Sequence, residues 1–326
     1  MAPRELAIPS ASELVFGTAP HPVTTSNGLV IGDGSVIPEL NFTLPQMAVN
    51  ESTRGEVIEH YRQIVTGALT RCRELHQPNV VLEFETLLEM TLDPTLGVEI
   101  VKVMRDICDE FEARDSIHAT IRLTPNDTRD FDRPLKMRSS ARLDTMLELF
   151  EEGARAGGDL LSIESTGGKE LHDDALMYCN VRHMVFALGV LGVRDMEFLW
   201  KKIVAIAEKT GRIAGGDTAC GFANTAMVLA EKQYIPRIVA AVDRVISITR
   251  SLAAMDAGAV GPDKDCGYEG PFIKAIAGVP ISMEGKTAAC AHLSPVGNVA
   301  AACCDLWSNE SVANIKLLSD MAPTAY

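Results

Sequence analysis

Along most of the chain, hydrophobic positions recur at helical spacing, and short apolar runs separate one such stretch from the next. From Ser52 to about Leu75, Val57, Ile58, Tyr61, Ile64, Val65, Ala68 and Leu69 share one helical face. Pro78 follows, and then the short apolar run Val80, Val81 and Leu82. Asp93 and Pro94 form a helix-start signal, after which Ile100, Val103, Met104, Ile107 and Phe111 keep helical spacing, and Ile117 to Leu123 reads as a strand. Leu143, Met146, Leu147, Phe150 and Ala154 make the next amphipathic face, which Gly157 and Gly158 end before the strand Leu160 to Ile163. Met196, Leu199, Trp200, Ile203 and Ala207 repeat the pattern, and Gly211 ends it before a strand from Arg212 to Ala214. Ile238, Val242, Val245 and Ile246 predict another helix, followed by a strand-like segment from Ala257 to Val260. Ile273 to Ile281 and a helix from Val299 to Trp307 complete the series.

Successive strand-then-helix units imply parallel strands joined by right-handed crossovers, in either a closed barrel or an open doubly wound sheet. No GxGxxG or GxxxxGKS string follows the first strand, which disfavours a dinucleotide-binding or P-loop reading. The expected fold is therefore α/β, a TIM (β/α)8-type barrel with an irregular and helical N-terminal extension. Residues 1–50 hold six of the 16 prolines and read as an arm. The expected organisation is an arm and helix over residues 1–75, packed on a barrel over residues 76–326.

Charge and composition narrow the partners. Lys and Arg number 30 against 44 Asp and Glu, a net charge of −14, so the field repels nucleic acid and anionic membranes. The longest nearly uncharged apolar run, Met184 to Val193, is about half of a membrane span. Arg4, Glu5 and Glu13 interrupt any N-terminal apolar stretch, so no secretory signal is expected and the chain reads as cytoplasmic. In that compartment the eight cysteines are free thiols, metal ligands or catalytic groups rather than a disulfide framework.

Barrel enzymes carry their chemistry at the C-terminal ends of strands. The strand Leu160 to Ile163 runs into Glu164, the strand at Ala214 opens into Gly-Gly-Asp217 and then Cys220, and the segment after Val260 leads to Cys266. One carboxylate and two thiols thus face a common mouth. Glu, Cys and Cys from three loops make a three-ligand zinc site with an open fourth position, the arrangement of a catalytic zinc centre. The competing reading is two thiols that are simply buried, since free cysteine is among the most buried residue types.

The strings SIESTGGKE (162–170), GGDTACGFANTAM (215–227), AGAVGPDKDCGYE (257–269), MEGKTAACAH (283–292) and CCDLWSNES (303–311) resemble the methanol:corrinoid methyltransferases, the zinc-bearing subunit of methanol-dependent one-carbon metabolism. The similarity runs from about residue 14 through most of the chain. It implies a TIM barrel, one zinc held by Glu164, Cys220 and Cys266, and transfer of the methyl group of methanol to the Co(I) corrinoid of a partner protein, with assembly into a complex. This is chemistry of anaerobic methanogenesis. Family members continue beyond the position of Tyr326, so the resemblance leaves two expectations open, a C-terminally truncated fragment or a compact variant.

Asp217, three residues before Cys220, is a candidate to orient a ligand or hold a proton for the leaving oxygen; the alternative is a turn or helix cap. Glu83 and Glu85 follow the first apolar run and are candidates to face the mouth, with Arg122 as a partner; the equal alternative is a solvated strand end. Lys169 and Lys286 lie in glycine-bearing turns and read first as exposed turn lysines, with anion binding, corrinoid side groups included, as the alternative. His292 reads as a packed or surface histidine, and Cys72, Cys108, Cys179, Cys303 and Cys304 as structural. Three rival functions stay open: another small O-methyl donor, a non-catalytic subunit or fragment that binds the corrinoid protein, and a metal-free barrel enzyme with Cys220 as nucleophile assisted by Glu164 and His292.

Overall fold

The computed structural model describes residues 5–15, 17–42, 44, 47–217, 220–266 and 269–284. An antiparallel hairpin, β1 (Thr18–Thr24) and β2 (Val30–Asp33), comes first. β3 (Glu39–Asn41), α1 (Arg54–Glu74), β4 (Asn79–Glu85), α2 (Leu88–Leu92), α3 (Pro94–Asp115), β5 (His118–Thr124), α4 (Ala141–Ala156) and β6 (Leu160–Ile163) follow. Then come α5 (Lys169–Met177), α6 (Val181–Phe186), a π-helical turn (Ala187–Gly192), α7 (Val193–Thr210), β7 (Ile213–Asp217), α8 (Cys220–Glu231) and α9 (Arg237–Ala257). β8 (Asp263–Cys266), α10 (Glu269–Ala277) and β9 (Ile281–Glu284) complete the order.

The helices start and stop where local chemistry dictates. The Asp93 carboxylate accepts from the Thr95 and Leu96 amides ahead of Pro94, and Ser140 accepts from Leu143 at the start of α4. Gly211 closes α7 in the left-handed region at φ 67°. α1, α3, α4 and α7 pack their apolar faces on the outer side of the sheet, around Leu69, Ile100, Met104, Phe150, Trp200 and Ile203.

β3 to β7 form a parallel sheet in sequence order, and β8 and β9 pair in parallel. The Val260 amide donates to Ala214 O at 2.9 Å, which sets the β8 segment beside β7. The wall is curved, because its members meet across an interior. Lys264 on β8 is ion-paired with Glu83 on β4, four strand spacings away, which would be about 19 Å along a flat sheet. Arg122 on β5 pairs with Glu39 on β3 and donates to Ser162 on β6 at 2.7 Å and to Pro262 O at 2.9 Å. Ser282 on β9 comes close enough to Glu39 on β3 to favour its carboxylate form, so the last described strand of the wall approaches its first. This is the α/β barrel-type architecture expected, with seven strands of its wall among the described residues.

Two expectations change. The wall begins at Glu39, inside the stretch read as an arm, since β3 pairs with β4 from Glu39 opposite Val81 to Asn41 opposite Glu83. Three residues, Glu-Leu-Asn, are too short to show a period. The strand expected at Ala257 to Val260 lies instead at Asp263–Cys266, with α9 extending to Ala257. Its Asp-Lys-Asp-Cys sequence carries no apolar run because Asp263 and Lys264 are buried among polar partners. The helix expected at residues 299–307 lies outside the described residues.

The hairpin sits at the N-terminal end of the strands. Asn27 Nδ2 donates to Ala119 O at 3.1 Å, Ser26 Oγ to Asp159 Oδ1 at 2.6 Å, and Arg212 Nη1 to Ser26 Oγ at 2.7 Å. Those contacts lie at the starts of β5, β6 and β7, so the opposite end is left for chemistry. No helix among the described residues is long and apolar enough to cross a membrane.

Candidate functional site

Strand alternation aims the site residues inward. On β5, Ala119, Ile121 and Leu123 join the outer core, while Thr120, Arg122 and Thr124 take the other side. On β6, Leu161 and Ile163 point outward to that core and Ser162 bonds Arg122 inside. Glu164 has the parity of Ser162 and sits one residue past the strand, in an isolated bridge with Asn126. Cys220 opens α8 three residues after β7, and Cys266 ends β8. Glu164 and Cys220 therefore follow the ends of β6 and β7, and Cys266 is the last residue of β8, the next strand of the wall. The side chains of Cys220 and Cys266 lie outside the described residues.

The Glu164 carboxyl is half-buried, and its pKa is pushed up to about 8 by burial first and then by the charges of Glu85 and Asp217; Lys264 and the Gly221 amide only partly offset this. A Cβ on Gly221 would lie 2.0 Å from Glu164 Oε1, so the carboxylate packs directly on the first turn of α8. Glu164 is thus a carboxyl crowded by burial and by the neighbouring Glu85 and Asp217, next to the helix that begins with Cys220. That is the environment a cation relieves, and a carboxylate with two thiols is a donor set suited to zinc. Among the described residues no cluster of three His, Cys, Asp or Glu side chains is placed to hold a metal. Glu164 is the one of the three proposed ligands whose side chain is described.

A cavity of about 90 Å³ opens here, lined by Glu85, Thr124, Asn126, Glu164, Lys169 and Phe222 among others. An open groove of about 1550 Å³ lies between residues 130–138 and the α5 and α7 helices, and it shares Thr166 and Lys169 with the cavity.

Asp217 is fully buried at the end of β7. Its Oδ1 accepts from the Ser165 amide at 3.4 Å and Ser165 Oγ at 3.2 Å, and its Oδ2 lies 3.5 Å from Arg250 Nη2. Burial raises its pKa, against the pull of Arg250. Asp263, also buried, lies beside Asp217; burial and that neighbouring charge hold its pKa well above the carboxylate range.

Arg122 does not take Glu85 as its partner: it is bound to Glu39, while Glu83 is held by Lys264 and by Thr124 Oγ1 at 2.8 Å. Glu85 is exposed, accepts from Asn41 Nδ2 at 2.8 Å, and lines the cavity. Lys169 is held by Asp173 at 2.8 and 2.9 Å and stands 5.3 Å over the Phe222 ring, so its charge is already matched. Cys72 and Cys108 are buried in α1 and α3, with the Cys108 thiol pushed up to about 12 by burial. Cys179 is between α5 and α6 with φ 50°, outside any helix. Lys286, Cys290, His292, Cys303 and Cys304 lie outside the described residues.

Sequence reading missed the groups that hold the loop after Glu164. Asp127 Oδ2 accepts the Thr166 amide at 2.8 Å, and Arg129 bridges Asp127 to Asp195 with bonds of 2.7 to 3.0 Å. Arg250 donates to Ser165 O at 2.6 Å and Gly167 O at 3.0 Å. A signal existed for Arg250, because Asp243, Ser247, Arg250 and Ser251 form a buried polar stripe at helical spacing along α9.

Residues 2–326 match the family model described as methanol-cobalamin methyltransferase B subunit. The chain is 40% identical over 310 residues to the methanol–corrinoid protein co-methyltransferase of Methanosarcina barkeri, covering 94% of this chain and 67% of that protein. It also superposes on the crystal structure of the methanol:cobalamin methyltransferase complex MtaBC from Methanosarcina barkeri, with a TM-score of 0.82 and 38% identity over 93% of this chain and 66% of that one. The chain thus spans about two thirds of the length of the relatives it matches. By the match along nearly its whole length, the chain belongs to the methanol-cobalamin methyltransferase B subunit family.

Proposed function

We propose that this protein transfers the methyl group of methanol to the corrinoid cobalt of a partner protein in the cytoplasm, with one zinc ion held by Glu164, Cys220 and Cys266. The observation that carries the reading is the small cavity at the strand ends: about 90 Å³, walled by the Glu164 carboxyl, with room for only a few water-sized molecules. A one-carbon alcohol fits such a space; a bulky methyl donor does not. The wide groove that shares Thr166 and Lys169 with it suits a macromolecular acceptor.

The chemistry a zinc ion supplies when bound is Lewis-acid polarisation of the methanol C–O bond, which makes the oxygen a better leaving group. The chain's own groups prepare the place. Glu164 brings an oxygen donor that keeps more Lewis acidity than a third thiolate would. Glu85 and Asp217 keep its surroundings electronegative, which favours a divalent cation and raises the cost of leaving the site without one. Phe222 and Thr124 wall the cavity and restrict water. Asp217, bound to Ser165 and Arg250, orients the Glu164 segment rather than touching the alcohol.

The test is zinc content of anaerobically purified protein beside Cys220→Ser and Cys266→Ser, followed by methyl transfer from methanol to the corrinoid protein. About one zinc per chain, lost in both folded variants together with methyl transfer, is the expected result. A folded wild type that cannot be loaded with zinc refutes the reading. Full zinc occupancy with corrinoid-protein binding but no methyl transfer would point instead to a non-catalytic subunit.

A further inference from the structure

We propose that Arg250 is a positioning residue for the metal site, its guanidinium tying the chain segment that carries Glu164 to the segment that carries Cys220. The proposal rests on the reading that these residues hold a metal.

Arg250 is fully buried on α9 and belongs to neither segment. Its Nη1 donates to Gly167 O at 3.0 Å, and its Nη2 donates to Ser165 O at 2.6 Å and to Ser165 Oγ. These acceptors stand one and three residues after Glu164. The same Nη2 lies 3.5 Å from Asp217 Oδ2, and the guanidinium carbon is 4.2 Å from the Phe222 ring centroid. Those groups stand three residues before and two residues after Cys220. One planar group therefore touches both segments on either side of the Glu164–Gly221 contact.

The physical need is specific. Past the end of β6 the chain leaves the sheet ladder, so the buried carbonyls of Ser165 and Gly167 require donors from elsewhere. A guanidinium satisfies both at once because its donors are fixed in a fork, while an ammonium offers one point. Burying that cation is itself costly, and the Asp217 carboxylate and the Phe222 face compensate it. Both compensating groups belong to the Cys220 segment. The arginine is thus held by one ligand segment and holds the other. Asp127 secures the intervening Thr166 from the opposite side through its amide and hydroxyl, so the Glu164 segment has little freedom to shift.

The test uses the full chain of the wild type, Arg250→Lys, Ser165→Ala and the control Met104→Ala, which opens the buried layer of α3 away from the site. Zinc affinity is measured by competition with a chromophoric chelator, and cobalt(II) alone is added as a spectroscopic probe of ligand geometry. Arg250→Lys is expected to weaken zinc binding about 10- to 100-fold and to move the visible cobalt bands; Ser165→Ala is expected to do the same to a smaller degree. Met104→Ala is expected to lower the unfolding midpoint while leaving zinc affinity and cobalt bands as in wild type. Should Arg250→Lys fail to fold, Ser165→Ala, which keeps the arginine, decides. Wild-type affinity and spectrum in the folded variants overturn the proposal alone, as does an equal change in Met104→Ala. A wild type that takes up neither metal overturns the metal-site reading and this proposal with it.

Discussion

Replacing Arg122 by Met removes the group that spans the barrel interior. In wild type its guanidinium is fully buried, paired with Glu39, and bonded to Ser162 Oγ at 2.7 Å and Pro262 O at 2.9 Å. Removing one member of a buried ion pair costs about 3–5 kcal/mol, because the other charge stays buried without its counter-ion. The two further acceptors lose a donor, at about 1–3 kcal/mol each where no other donor replaces it. A loss of at least about 3 kcal/mol is therefore expected, read from urea unfolding. The double variant Arg122→Met with Glu39→Leu is expected to recover part of the loss, since no charge is stranded. The pH dependence adds a sign. Burial alone would raise the Glu39 pKa, but Arg122 overrides it and holds the carboxyl below 4.5, so in wild type its contribution is present above 4.5 and lost as pH falls through the native value. Without Arg122, burial pushes the native Glu39 carboxyl upward, and Lys264 and Ser282 are left to offset this. The deficit of Arg122→Met relative to wild type should then narrow from about pH 8 to about pH 5. A loss below about 1 kcal/mol, a double variant no better than the single one, or a deficit that widens toward acid would refute this account of how the wall is held.

Two further outcomes follow from the site and its surroundings. Gly221→Ala puts a Cβ 2.0 Å from Glu164 Oε1, so zinc affinity should fall at least about tenfold while the helix content seen by circular dichroism is kept, alanine being the better helix former; unchanged affinity in chelator competition contradicts the packing described. His172 is bound to Asp243 at 2.7 Å and Asp173 at 3.0 Å, and although burial lowers its pKa these carboxylates raise it above 6.5. Its contribution to stability is therefore complete below 6.5 and lost as pH rises through the raised native value. His172→Gln should flatten the unfolding midpoint across that window, and an unaltered pH profile would show that the imidazole is not charged there.

The alternation of helices and strands is legible in the residues alone, because each helix buries one outer face on the sheet and that face repeats at 3.6 residues. The places of Glu164 and Cys220 just past strand ends were legible too, since an apolar strand is visible and the residues after it are then located. Leu160 to Ile163 was found to the residue for that reason. The strand that ends at Cys266 was not legible, because its Asp-Lys-Asp-Cys sequence carries no apolar run. The polar interior takes shape only when distant strands come together. β3 and β8 carry Glu39 and Lys264, which are stable inside because Arg122 and Glu83 face them from strands far off in sequence; a local window sees charged residues and reads a loop. The same holds for Arg250, whose position on α9 shows a polar stripe but not its acceptors, 83 and 85 residues away. A hydrophobic period reports burial against any neighbour, whereas an ion pair or a buried donor needs one particular partner. That partner is named only when the chain is folded.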